Sequence, residues 1–155
     1  MATLGLIGSG NSGTTLARLA VDGGLDVVLS NSRAPQTLSD LVTQLGPRAR
    51  ASTPPQAAAA GDWVVVTIPV GSIEAVPRDP LVGRTVIDTG NYFAPCDGSI
   101  PELETRELTD SELLQRHLPE AHVVKAFKDD WYSRDQPAAP ASAAEIGVAL
   151  AAARR

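Results

Sequence analysis

The stretch that most limits what this chain can become is Leu4-Gly5-Leu6-Ile7-Gly8-Ser9-Gly10-Asn11-Ser12-Gly13. An apolar run ends in Gly-x-Gly-x-x-Gly, and a helical pattern starts at once. Continuous apolar sequence is what a buried parallel strand needs, because both its faces are covered. In such a turn Gly8 lets the chain turn tightly, Gly10 lets a pyrophosphate approach the backbone, and Gly13 lets helix and strand pack closely. The free N–H groups and positive dipole end of the new helix then suit a diphosphate. Three glycines at this spacing also occur in plain turns of α/β proteins. The order strand, turn, helix, second strand is what points to a dinucleotide site.

The pattern continues in the same alternation. The spacing predicts a helix from about Asn11 to Val21, closed by Gly23-Gly24, then a second strand over Asp26–Ser30. Pro35 to Leu45 reads as one helix, with Leu38, Leu41, Val42 and Leu45 at helical spacing. A short edge strand over 48–51 and an alanine-rich helix over about 55–60 lead to the strand Asp62–Ile68, which Pro69 ends. Ser72–Val76 reads as one helical turn, Arg84–Asp88 as a fifth strand, and Asn91–Glu107 as irregular chain broken by Pro95, Gly98 and Pro101. Thr109–Leu118 is a helix with a capping box (Thr109 with Glu112) and a Leu108–Leu113 staple, and Val123–Phe127 is a sixth strand. The expected fold is therefore α/β: a doubly wound, Rossmann-like parallel sheet of about six strands, in one domain over residues 1–128. Residues 129–155 read as a linker and a C-terminal tail helix.

Bulk properties narrow the function classes. A chain of 155 residues with 43% hydrophobic and 20% charged content suits a single globular domain. A net charge of −5 without a basic cluster argues against nucleic-acid binding. The lone Cys96 leaves no disulfide framework and no multi-cysteine metal site, so the expected setting is a reducing cytoplasm. Met1 runs straight into the first strand and the apolar stretches are strand-sized, so neither a leader nor a membrane span is expected. A thin apolar stripe on the tail helix suggests a homodimer.

The end of the second strand bears on which coenzyme is bound. Sites for NAD usually place Asp or Glu there for the ribose hydroxyls. Here the residues are Ser30-Asn31-Ser32-Arg33, with no acid. Ser32 offers a hydroxyl and Arg33 a fork for a phosphate, which favours NADP(H). An arginine before a helix is also common on any solvated surface.

Five spaced segments together resemble the NADP-dependent oxidoreductases related to the reductase of the deazaflavin coenzyme F420. They are Gly5–Asn11, Leu29–Arg33, Val65–Pro69, Val86–Asn91 and Val123–Phe127, so the resemblance spans about residues 2–127. It implies a Rossmann domain that moves hydride between NADP(H) and a flavin, deazaflavin or other small acceptor. It also implies that Gly8, Ser9, Gly10, Asn11 and Ser12 lie along the pyrophosphate, and that Asn31, Ser32 and Arg33 hold the 2′-phosphate. Thr67, Ile68, Pro69 and Val70 would flank the nicotinamide ribose. Asn91, Lys125, Ala126 and Phe127 would approach the nicotinamide. The chain departs from the family's pattern at Ser12, where a bulky aliphatic residue is usual, and after Phe127, where Lys128 replaces Asn and a shorter segment follows.

Hydride transfer to a flavin-like ring needs position more than a side-chain acid, whereas a carbonyl or imine would also need a proton donor. Lys125 and Asp88 are the foremost donor candidates, beside Tyr132, His117 and His122. Each has a structural alternative: Lys125 flanking an apolar strand, Asp88 fixing the next turn. Tyr92 and Phe93 read as lid residues or as packing under the loop. The leading expectation is an NADP(H)-dependent oxidoreductase. The alternative is a non-catalytic NADP(H)-binding module, a redox sensor or scaffold. A third, NAD-linked reduction of a small oxo acid, is disfavoured by Asn31.

Overall fold

The computed structural model describes residues 2–127. Among these residues six strands form one sheet: β1 (Thr3–Ile7), β2 (Asp26–Ser30), β3 (Ala49–Ala51), β4 (Trp63–Val66), β5 (Thr85–Asp88) and β6 (His122–Lys125). All pairs are parallel and the order is β3-β2-β1-β4-β5-β6. This is the doubly wound order, in which the crossing reverses direction beside β1 and opens a crevice at the strands' carboxyl ends.

Alternation along the strands sorts the core into two layers. Leu4, Leu6, Val27, Leu29, Trp63, Val65 and Ile87 pack on one face with Leu16, Ala17 and Ala20 of helix α1 (Asn11–Asp22) and Leu45 of α2 (Ser39–Leu45). Ile7, Val64, Val66 and Val86 pack on the other, against Ala58 of α3 (Pro54–Ala60) and Leu114 of a later helix. Each fully buried aliphatic contributes about 1.5–3 kcal/mol relative to exposure; the buried polar residues of the strands, Ser30 and Asp88, stand at their carboxyl ends.

Three elements differ from the periodicity. The Pro35–Leu45 helix is split into a tight turn at Pro35–Leu38 and α2. Thr37 and Ser39 hydroxyls donate to Ala34 O (2.7 Å) and Gln36 O (2.6 Å), local bonds that compete with a continuous helical ladder. The turn after β4 is tight, 3-10 in type, and starts at Val70 rather than Ser72. The stretch expected to be irregular holds two short helices, α4 (Ala94–Asp97) and α5 (Pro101–Glu104), each with proline in its first turn, where its missing N–H costs nothing. Helix α6 (Asp110–His117) carries the expected box, with Thr109 N donating to Glu112 Oε2 at 2.7 Å and Glu112 N to Thr109 Oγ1 at 3.2 Å. Its backbone and hydroxyl bonds from Thr109 hold the Glu112 carboxyl below its ordinary value of 4.5. The linker, the tail helix and Tyr132 lie outside the described residues.

A candidate dinucleotide crevice

The turn after β1 is fixed by β2. Gly8 N donates to Ser30 O (3.1 Å), and Ser9 Oγ donates to the same oxygen (2.6 Å). Ser30 is fully buried, and its hydroxyl donates to Leu6 O at 2.8 Å. Sequence reasoning passed over this serine, although a polar residue closing an apolar strand was a signal that something had to be anchored there.

Two glycines of the turn leave no room for a side chain. Gly8 has φ 109°, and a Cβ on it would strike Thr67 O; a Cβ on Gly13 would strike Gly8 O and lie 3.0 Å from Thr67 Cγ2. Gly10 is different, because a Cβ there would meet no atom within 4 Å. It caps α1, whose amino end has no side-chain cap and no acidic residue in its first turn. Unpaired N–H groups, an open side and no repelling charge fit a diphosphate.

At the end of β2, Asn31 is half-buried and serves the loop itself. Its Oδ1 accepts from Arg33 N (3.0 Å) and its Nδ2 donates to Thr37 Oγ1 (2.9 Å), an Asx-type turn. The turn leaves Ser32 and Arg33 exposed. The Arg33 guanidinium forms no ion pair among the described residues.

The far side of the crevice is built from β4, β5 and β6. Thr67 N still donates to Ile7 O (2.9 Å), although the strand proper ends at Val66. Ile68 is half-buried, Pro69 exposed and Val70 buried. Asn91 is exposed beyond β5, and Ala126 N donates to Asp88 O at 3.0 Å. Asp88, 3% exposed, accepts from Gly90 N (2.7 Å) through Oδ1, and from Ser111 Oγ (2.7 Å) and Lys125 Nζ (3.1 Å) through Oδ2. Lys125 also donates to Gly90 O and lies 3.7 Å from Asp110 Oδ2, which in turn accepts from Tyr92 N at 3.1 Å. An ammonium has three donors; two are bonded to Asp88 and Gly90, and Asp110 lies within ion-pair distance. Asp88 and Lys125 are therefore brought together, in a network that pins the Gly90–Tyr92 loop.

His117 is held away from this region, its Nε2 at 2.8 Å from Val76 O and its Nδ1 at 3.1 Å from Arg78 Nη2. His122 is exposed on β6. Among the described residues no group of three or more His, Cys, Asp or Glu is placed to hold a metal ion, and no helix is long and apolar enough to cross a membrane.

The comparisons with known proteins fit this geometry. A hypothetical protein from Sinorhizobium meliloti is 28% identical, with a TM-score of 0.67 over 82% of this chain and 62% of that one. A candidate F420-dependent NADP-reductase from Arthrobacter sp. FB24 is 25% identical, with a TM-score of 0.70 over the same shares. An imine reductase of Streptomyces aurantiacus, at 20% identity and a TM-score of 0.57 over 79% of this chain and 40% of that one, shares the fold. The chain thus spans about 62% of the length of the first two. No curated protein matches it. The family model described as NADP oxidoreductase, coenzyme F420-dependent, matches residues 3–92, stopping short of β6, which the sequence resemblance includes. That match covers more than half of the 155 residues, and the chain belongs to the family of coenzyme F420-dependent NADP oxidoreductases.

Proposed function

We propose that the chain binds NADP(H) and transfers a hydride between its nicotinamide and a flavin, a deazaflavin or another small acceptor. The observation that carries the reading is the uncapped, acid-free amino end of α1, with the open side of Gly10, in a crevice whose neighbouring strand end offers an unpaired Arg33.

In this reading the backbone from Gly8 to Gly13 holds the diphosphate. Ser32 and Arg33 take the 2′-phosphate, and Asn31 shapes the turn that presents them. A guanidinium forks onto phosphate oxygens with two parallel bonds, whereas a carboxylate at this place would repel them. Thr67 to Val70 border the nicotinamide ribose, while Asn91 and Ala126 border the ring. When bound, the coenzyme would supply a hydride to the acceptor, and water would supply the proton that completes its reduction. Lys125 and Asp88 position the Gly90–Tyr92 loop instead of delivering that proton, because Asp88 accepts through both oxygens and Lys125 is bonded to Asp88 and to Gly90 O.

That engagement favours ring acceptors, which need no side-chain acid, over carbonyls and imines. It is also what a second reading would use, an NADP(H)-binding module without turnover. Mixing the protein with NADPH and a series of flavin and deazaflavin acceptors, while following nicotinamide absorbance, separates the two. Oxidation by at least one acceptor supports the enzyme; tight binding with no oxidation supports the module.

A further inference from the structure

Among the described residues three large hydrophobic side chains are exposed: Val82, Val124 and Phe93. Val82 precedes β5 at the amino end of the sheet, and Val124 lies within β6. Phe93 alone follows a strand's carboxyl end, five residues past Asp88 on the loop that leaves β5, and it is 60% exposed. Full burial of such a ring is favourable by about 1.5–3 kcal/mol, so an aromatic held outside the core at a crevice rim asks for a reason.

The backbone around it is clamped from both sides. One carboxylate, Asp97, accepts from Phe93 N through Oδ2 (2.7 Å) and from Gly71 N through Oδ1 (3.1 Å). A Cβ on Gly71 would strike Asp97 O, so α4 and the turn after β4 touch at backbone distance. Phe93 is thereby tied to the residue that follows Pro69 and Val70. On the other side Tyr92 N donates to Asp110 Oδ2 (3.1 Å), while the Tyr92 hydroxyl donates to Gly98 O (2.8 Å) and accepts from Ile100 N (3.1 Å). Tyr92 packs against the core, while Phe93 stands outside it.

We propose that Phe93 is the acceptor's platform, a ring face on the rim of the crevice against which a planar, conjugated hydride acceptor stacks. The proposal rests on the NADP(H) reading and adds a specificity-determining residue to it. Aromatic faces attract flat conjugated rings through offset stacking, and a leucine of similar volume offers no such face.

Riboflavin is a suitable probe, its binding followed by fluorescence anisotropy on the full chain saturated with NADP+. Wild type is expected to bind it, and both Phe93→Ala and Phe93→Leu to weaken it about five- to tenfold. Phe93→Trp is expected to keep the affinity and to quench riboflavin emission. NADP+ affinity should stay within about twofold in all three, since no diphosphate or 2′-phosphate group is touched. Unchanged riboflavin affinity in the alanine and leucine variants, or no riboflavin binding to NADP+-loaded wild type, would overturn the proposal. Failure of wild type to bind NADP+ at all would instead contradict the function proposed above.

Discussion

On the β1–α1–β2 side of the crevice the polar groups left over among the described residues include backbone N–H groups at the start of α1, the Ser32 hydroxyl and the guanidinium of Arg33. On the β4–β5–β6 side three carboxylates are engaged with other side chains or with loop backbone N–H groups: Asp88 with Lys125, Ser111 and Gly90 N, Asp110 with Tyr92 N and Lys125, Asp97 with Gly71 N and Phe93 N. One side keeps its binding capacity open, and the other spends it on holding loops in place. Substitutions on the first side should therefore change ligand affinity with little effect on folding. Substitutions on the second should change stability first and ligands only through loop position.

The largest effect falls on the engaged side. Lys125→Met leaves the buried Asp88 carboxylate without its cation, and removing one partner of such a pair costs about 3–5 kcal/mol. The expected outcome is a clear fall in melting temperature, read by calorimetry or circular dichroism. An unchanged melting temperature would mean that the network does not hold the fold, and the comparison would break.

On the open side Arg33→Ala would remove the proposed charge-assisted contact with the 2′-phosphate, worth about 1.5–3 kcal/mol, so NADPH affinity should fall roughly 10- to 150-fold. Affinity for NADH, which lacks the 2′-phosphate, should hardly move, nor should the melting temperature. Equal weakening of both coenzymes would take Arg33 out of 2′-phosphate recognition. Gly10→Ala sharpens the same contrast. Its methyl group meets no protein atom, so folding should survive, while NADPH affinity falls by about tenfold or more. Gly13→Ala, by contrast, collides with Gly8 O and should lower both stability and affinity.

The smallest effect lies at the cap of α6. Because bonds from Thr109 hold the Glu112 carboxyl below its ordinary value, its stabilisation is present above the unfolded value and lost as pH falls through the folded one. Glu112→Gln should melt slightly below wild type at neutral pH, with the gap closing as the pH drops below about 4. A gap that widens on acidification would reverse the sign and contradict the capping account.

The open side was the more legible in sequence, because local rules make it. A strand, a glycine turn, a helix and the end of the next strand follow one another within Thr3–Arg33, and each has a short-range signature. The capping box over 109–112 was legible for the same reason. The engaged side was not. Lys125 and Asp88 are 37 residues apart, and Asp97 and Gly71 are 26 apart, so no local pattern announces either contact. Only the parallel register of β5 with β6, which sets Asp88 against Lys125, brings the first pair together. The split of the Pro35–Leu45 helix was hidden because its apolar spacing is helical throughout, while the hydroxyls of Thr37 and Ser39 decide the local path. Ser30 shows a third kind of miss, a buried hydroxyl whose importance lies in the carbonyl beside it.

Calorimetric titration of the wild-type chain with NADPH and with NADH tests the central claim most directly. The account predicts saturable heat with NADPH at one site per chain and at least tenfold weaker binding of NADH, as expected when a guanidinium faces a 2′-phosphate. No heat with either coenzyme, or a preference for NADH, would contradict it.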